Sequence, residues 1–218
     1  ARLAAKIIVG FVALTLLLVL AFTWLPVPVT ATMAMDENGI TKDWESLANI
    51  DPDLVHAVIA AEDSRFCDHS GFDTEAIEQA LRERAQTGRV RGASTISQQT
   101  AKNVFLSQGG GWFRNALEAW FTFWIRLVCG KARIMDVCLN VAETGIGTYG
   151  AEAGAQRYFG HSAARLTADE ASRMAAALPS PKTRAVRNPG GWLAQHGDTI
   201  ERRIGIVKRD GLAACVYG

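Results

Sequence analysis

Residues 7–25, IIVGFVALTLLLVLAFTWL, run nineteen positions without a charged side chain, and this stretch limits what the rest of the chain can be. A helix rises about 1.5 Å per residue, so about 20 apolar residues cross the hydrocarbon core of a bilayer. The run is long enough to span. A cleavable export signal has a shorter apolar core and a small-residue cleavage site, whereas Trp24 and Pro26 close this run as an interfacial anchor would. The rival reading, an uncleaved export signal, predicts the same compartment. Arg2 and Lys6 precede the run, which places the N-terminus in the cytoplasm and everything after Pro26 outside it.

Three segments follow from this. Residues 1–26 are a cytoplasmic tip and a transmembrane helix. Residues 27–50 mix Pro, Thr, Gly and charged residues without a sustained period and read as a linker. Residues 51–218 form one domain, mainly α because alternating β-type runs are few. A chain of 218 residues has room for one real core and too little for a second catalytic domain of ordinary size. With 23 basic and 22 acidic side chains, bulk nucleic-acid binding is excluded as a function class. Cys67, Cys129, Cys138 and Cys215 are scattered, with no C-x-x-C pair and no histidine at metal-ligand spacing. An oxidising compartment permits a disulfide, several pairings are open, and free, mostly buried thiols are the favoured expectation.

The domain opens on a strong helix start. Asp51 is an N-cap, Pro52 suits the first helical position, and Asp53 complements the helix dipole. Val55, Val58 and Ile59 then fall on one stripe, and the next residue on it is Glu62. Either this carboxylate is wet at the stripe's edge or it is buried. Burial would raise its pKa and make it a better proton acceptor near neutral pH, unless a cation pulls the pKa back. Residues 74–84 predict a short amphipathic helix, and the basic, Gly-containing stretch 86–94 a loop.

Thr95-x-x-Gln98 is a capping box, so a second informative helix begins at Thr95. Thr95, Gln98, Gln99 and Lys102 share one face, and Ile96, Thr100 and Val104 the other. Hydroxyl, amides and ammonium aimed together near a helix N-terminus can line a cleft for a sugar or phosphate. The competing reading is an ordinary wet face. Leu117, Phe121, Trp124, Ile125 and Val128 form an apolar stripe over 112–129, which is core first and lipid interface second. A further helix with Ile134, Val137, Cys138 and Val141 inward breaks at glycines 145, 147 and 150. Thr167-x-x-Glu170 is another capping box, opening an Ala-rich helix that ends at Pro179. Basic residues predominate over 182–209, where a solvated face is favoured over attraction to anionic head groups.

Glu62-Asp63-x-x-Phe66-x-x-His69-x-Gly71-x-Asp73 and Gly92-x-Ser94-Thr95-Ile96-x-Gln98-Gln99-x-x-Lys102-Asn103 resemble the first two signatures of the peptidoglycan glycosyltransferases. That family polymerises lipid II into glycan strands on a lysozyme-like helical fold. Arg114-x-x-x-Glu118 is similar to the pattern that carries the family's second functional glutamate. Two positions depart from it, Asn115 where family members often have Lys and Arg126 where they often have an acid. Lys131, the Leu139-Asn140 pair, the Gly-rich turn and Tyr158-Phe159-Gly160 resemble a further signature, with Cys138 in place of a common Tyr. Val141-Ala142-Glu143 is closest to the monofunctional branch, and residues 177–181, ALPSP, resemble a fifth, weaker motif. The resemblance covers roughly residues 51–181.

The resemblance implies roles. Glu62 deprotonates the acceptor hydroxyl, and Glu118 assists on the pyrophosphate side. Asp63, Ser94, Thr95, Gln98, Gln99, Lys102, Asn103, Arg114, Lys131 and Asn140 bind substrate. No cofactor is required, with Mg²⁺ or another divalent cation an optional aid near Glu118. The partners are lipid II, the growing glycan chain, the membrane and other cell-wall synthesis proteins, with no nucleic acid. The implied location is the bacterial inner membrane, catalytic domain outside, and no peptide cross-linking is expected. Paired carboxylates also suit a lysozyme-like hydrolase. A hydrolase must protonate a poor leaving group, whereas a transferase with a lipid pyrophosphate donor needs a base and phosphate-holding cations. Lys102, Arg114 and Lys131 lie in the same motifs as the carboxylates, which favours transfer. A peptidoglycan-cleaving enzyme, a non-catalytic lipid II binding module and a purely structural membrane protein are the alternatives.

Overall fold

The apolar run is a single helix, α1 (Arg2–Trp24), in a computed structural model that describes residues 2–88, 92–107 and 109–217. Most of α1 is bare, with Val19 and Thr15 buried against the rest of the molecule. Its C-terminal carbonyls have no helical partner, and Arg133 supplies donors to two of them, Phe22 O and Leu25 O.

The segment expected as a linker is folded. It carries a short helix α2 (Ala31–Ala34), a strand β1 (Thr41–Lys42) and a 3₁₀ turn (Leu47–Asn49). Composition missed this because its ordering comes from partners far along the chain. Val27 and Met33 are buried with Val104, Val137, Val141 and Tyr149, and Thr32 Oγ1 donates to Leu106 O at 3.1 Å.

The principal core forms around α3 (Pro52–Glu62), α9 (Ala168–Ala177) and α10 (Gly191–Arg209). Val55, Val58 and Ile59, the stripe read from periodicity, are buried there with Phe66, Met174, Ile200 and Ile204. Each such side chain contributes about 1.5–3 kcal/mol on removal from water. Asp51 caps α3 by accepting from Asp53 N at 2.9 Å. α4 (Thr74–Thr87) runs three residues further than its pattern predicted and ends on Gly88, whose positive φ suits a left-handed C-cap. The expected basic loop at 86–94 falls partly on 89–91, outside the described residues.

α5 (Ile96–Phe105) packs on α6 (Trp112–Val128) and α7 (Lys131–Val141). Phe121 and Ile125 of the predicted α6 stripe are buried with Val19 of α1, and Trp120 Nε1 donates to Thr15 Oγ1 at 3.3 Å. Trp112, Phe113, Phe123 and Leu127 are exposed, an apolar margin on the helix that packs against α1. After α7 a Gly-rich hairpin, β2 (Glu143–Gly145) and β3 (Thr148–Tyr149), leads into α8 (Ala151–Phe159). The sheet order is β1-β3-β2, with β1 parallel to β3. Gly147 turns this hairpin at φ 62°, where a Cβ would stand 2.8 Å from Asn38 O, so the position requires glycine twice over.

The cysteine expectation is half corrected. Cys129 and Cys138 are free and buried, but Cys67 and Cys215 form a disulfide with Cα atoms 5.5 Å apart. These residues lie 148 positions apart and meet because the terminal helix α11 (Ala214–Tyr217) packs back on α7. No local pattern announces such a pairing.

Candidate active site

α3 ends on Glu62, which reaches a cleft of about 900 Å³. Ser94, Gln99, Lys102 and Asn103 line one side of the cleft with it. The segment that follows α1 (Thr32, Asp36, Asn38), Glu143 after α7, and residues 178–183 after α9 close the other.

Glu62 is largely shielded from water, and that burial pushes its carboxyl above the ordinary glutamate range. Three groups pull in the opposite direction. Gln99 Nε2 donates to Oε2 at 2.8 Å, and the charges of Arg184 and Lys102 favour the anion. Lys102 has no ion-pair partner among the described residues. The geometry therefore supplies a partly desolvated carboxylate, oriented by an amide, with the unpaired Lys102 on the same wall of the cavity.

Asp63 turns away from this cleft and is buried. Its oxygens accept from His69 Nε2 at 2.9 and 3.0 Å and from Ile96 N at 3.0 Å, while Gly71 N donates to His69 Nδ1 at 3.2 Å. The Gly71 donor makes Nδ1 the acceptor and leaves the proton on Nε2. Asp63 thus ties the end of α3 to the start of α5, a structural post directly behind Glu62.

Thr95 and Gln98 satisfy each other. The threonine hydroxyl accepts from Gln98 N and the glutamine carbonyl from Thr95 N, and Thr95 Oγ1 also donates to Gly71 O at 2.6 Å. Neither lines the main cleft, so of the polar face expected on this helix only Gln99, Lys102 and the adjoining Asn103 reach it. Asn140, expected to bind substrate, is fully buried. It accepts from Glu45 N at 2.9 Å and donates to Glu45 O and Asp136 O, fastening the segment after β1 to α7. A side-chain amide serves a cap or a strap as well as a ligand, and here the backbone claims both.

Glu118 is also absent from the wall of the cleft that holds Glu62. It lies on α6, 3.5 Å from Arg114 Nη1, with the Glu118 carbonyl accepting from Thr122 Oγ1. Arg114 Nε is buried without a hydrogen-bond partner, and the same is true of Arg126 Nε further along α6. Asn115, the first departure, accepts from Arg114 Nη2 at 3.1 Å. Arg126, the second, packs against Gly71. Lys131 donates to Phe66 O and stands over the Phe66 ring, and burial brings its ammonium down to about 8. It does not line the cleft either. The structure thus groups the expected site residues in two sets, Glu62 with α5 in the cleft and Arg114, Glu118 and Lys131 outside its lining.

Among the described residues no group of three metal-ligand side chains forms at Glu118. Asp63, His69 and Asp73 bring donor atoms within 4.8 Å of one another. They do not fit an ion, because Asp63 and His69 are bonded as above and Asp73 Oδ1 caps α4 through Ala76 N at 2.9 Å.

Sequence reasoning missed Asp36, Glu143 and Lys182, which meet at the cleft's far side. Tyr149 Oη and Lys182 Nζ donate to Asp36 Oδ2 at 2.6 and 3.0 Å, and these bonds hold the Asp36 carboxyl well below the usual range. Lys182 also stands 3.5 Å from Glu143, a second cleft carboxylate pushed upward by burial. The Val-Ala-Glu wording pointed at Glu143 and the basic run at Lys182, but neither joined them to the cleft, and nothing pointed at Asp36.

A mainly helical domain packed against a long apolar helix, with a partly desolvated glutamate and an unpaired lysine in one cleft, has the groups for acid–base chemistry beside an anionic ligand. The family comparison narrows the class: residues 29–205 match the model described as Transglycosylase, and the chain belongs to that family. A protein of Caulobacter vibrioides named biosynthetic peptidoglycan transglycosylase is 48% identical over 201 residues, covering 91% of this chain and 88% of that one. Its namesakes in Rhodospirillum centenum and Pseudomonas putida F1 are 45% and 43% identical, covering 99% and 93% of this chain and 95% and 90% of theirs.

Proposed function

We propose that the protein polymerises lipid II into linear glycan strands by inverting glycosyl transfer, with Glu62 as the general base. The observation that carries this is the half-buried Glu62 carboxylate at the cleft wall, held by Gln99 in the field of Lys102 and Arg184. Glu62 takes the proton from the 4-hydroxyl of the acceptor GlcNAc. That oxygen attacks C1 of the lipid-linked MurNAc at the end of the growing chain. The C1–O bond to phosphate breaks, the anomeric centre inverts from α to β, and undecaprenyl pyrophosphate departs with the electron pair.

A pyrophosphate leaving group needs cations more than it needs a proton. Lys102 in the cleft is placed for that task, while Glu118 acts through Arg114 rather than on the sugar. The bare helix α1 anchors the protein in the membrane. In this reading it is an inner-membrane anchor with its N-terminus in the cytoplasm and the cleft on the outer side. The apolar margin of α6 then rests against lipid beside a lipid-held substrate, and a shared membrane raises their effective concentration. Incubating the full-length protein with labelled lipid II, and separately with purified cell wall, tests the reading. Glycan polymer from the first and no digestion of the second is expected; soluble fragments from the second without polymer from the first would assign a hydrolase instead.

A further inference from the structure

A second groove, of about 340 Å³, opens off the cleft and shares Pro181, Lys182 and Thr183 with it. Arg157, Arg184 and Arg187 line it, and no carboxylate does among the described residues. Lys182 is engaged by Asp36 and Glu143. None of the three arginines is in an ion pair among the described residues, although the charge of Arg184 is also felt by Glu62. Backbone carbonyls hold them in place: Arg157 donates to Ile146 O at 2.7 Å, Arg184 to Ala176 O at 2.7 Å and Arg187 to Tyr158 O at 2.9 Å. Arg184 is further steadied over the Trp192 ring at 5.2 Å. A guanidinium has five N–H donors in a planar fork, so each keeps donors to spare after these bonds. Arg157 and Arg187 are exposed, so their charges are screened by water, but three guanidinium groups facing one groove favour an anion that joins them, and the backbone bonds lower part of the ordering cost of binding one.

We propose that this groove is a subsite for a carboxylate on the peptide branch of the sugar substrate. The inference rests on the proposed function, because a peptidoglycan precursor is a sugar carrying a short peptide that ends in a carboxylate. A branched substrate lying in the cleft must send its branch out sideways, and the groove opens from the cleft wall at 181–183. Its walls come from α8, the β2–β3 turn and the segment after α9, none of them α1 or the apolar margin of α6. That placement favours the peptide over a lipid head group.

The test uses the full-length protein with two forms of lipid II, one with free peptide carboxylates and one with those groups amidated. Arg157→Gln and Arg187→Gln are each expected to raise KM for the free form by about fivefold while leaving kcat within about twofold. Neither should raise KM for the amidated form, for which the unsubstituted protein already shows the higher value. Equal changes on both forms, or none, would overturn the subsite, as would a loss that appears only in anionic vesicles and ignores amidation. Unchanged thermal unfolding of the variants separates the effect from misfolding. Binding of a soluble disaccharide peptide and its amide, followed by titration calorimetry, keeps subsite and reaction distinguishable. Tighter binding of the free acid, lost in the arginine variants, upholds the subsite even if no polymer forms, and equal binding of both overturns it even if polymer does.

Discussion

Glu62 loses water to the core behind α3 and gains Gln99 and two cationic fields in front of it, so its protonation is set by a contest among neighbours. Burial is the largest of these influences and raises the pKa. A general base works only as the anion, so polymerisation must fall as pH drops through this raised value, and the acid limb should lie above the range of an ordinary glutamate. Lys102 favours the anion. Lys102→Met is therefore expected to move the limb of kcat to higher pH, beyond any loss of overall rate, and a pH–rate series would show it. A limb that stays put or moves down would mean that another group is being titrated. At this scale the interrupted apolar stripe left Glu62 open between a wet edge and a buried site, and the motif around it, Glu62-Asp63-x-x-Phe66, singled it out. Sequence reading gave Gln98 two roles, cap and ligand, and Asn140 the role of a ligand, and in both the amide is taken up by the backbone with the same atoms that would serve a sugar.

α5 begins where it does because Thr95 and Gln98 cap each other, and the same hydroxyl reaches across to Gly71. Thr95→Ala removes a cap and a buried hydrogen bond together, which should cost about 2 kcal/mol and lower the melting temperature by roughly 4–8 °C. Calorimetry would read this directly. The disulfide works at the same scale by joining α11 to the loop after α3. Reduction, or Cys67→Ser with Cys215→Ser, should remove about 2–4 kcal/mol from unfolding stability. An unchanged denaturation midpoint with and without reductant would contradict that. Both capping boxes and the start of α3 were legible from residues a few positions apart, since the groups that satisfy each other are neighbours in sequence. The disulfide was not, because its two cysteines meet only after α10 and α11 have packed. The folded state of 27–50 was hidden for the same reason, as Val27 and Met33 find their partners on α5, α7 and β3.

Across the whole molecule, membrane anchor, cleft and groove form one continuous arrangement. Arg133 secures the end of α1, Trp120 of α6 touches Thr15 within it, and the segment leaving α1 becomes a wall of the cleft through Asp36 and Lys182. The helix long and apolar enough to cross a membrane is thereby packed into the same body that carries the Glu62 cleft. The two glutamates singled out by the motifs do not share the lining of one cleft: Glu62 reaches it, and Glu118 stands beside Arg114 on a neighbouring helix. The most direct test is the rate of polymer formation from labelled lipid II by full-length Glu62→Gln, with its helical content and melting temperature recorded beside it. The account predicts an intact fold and a loss of about 10²-fold or more, the scale of a missing general base. Glycan synthesis near the unsubstituted rate by a properly folded Glu62→Gln protein would contradict it.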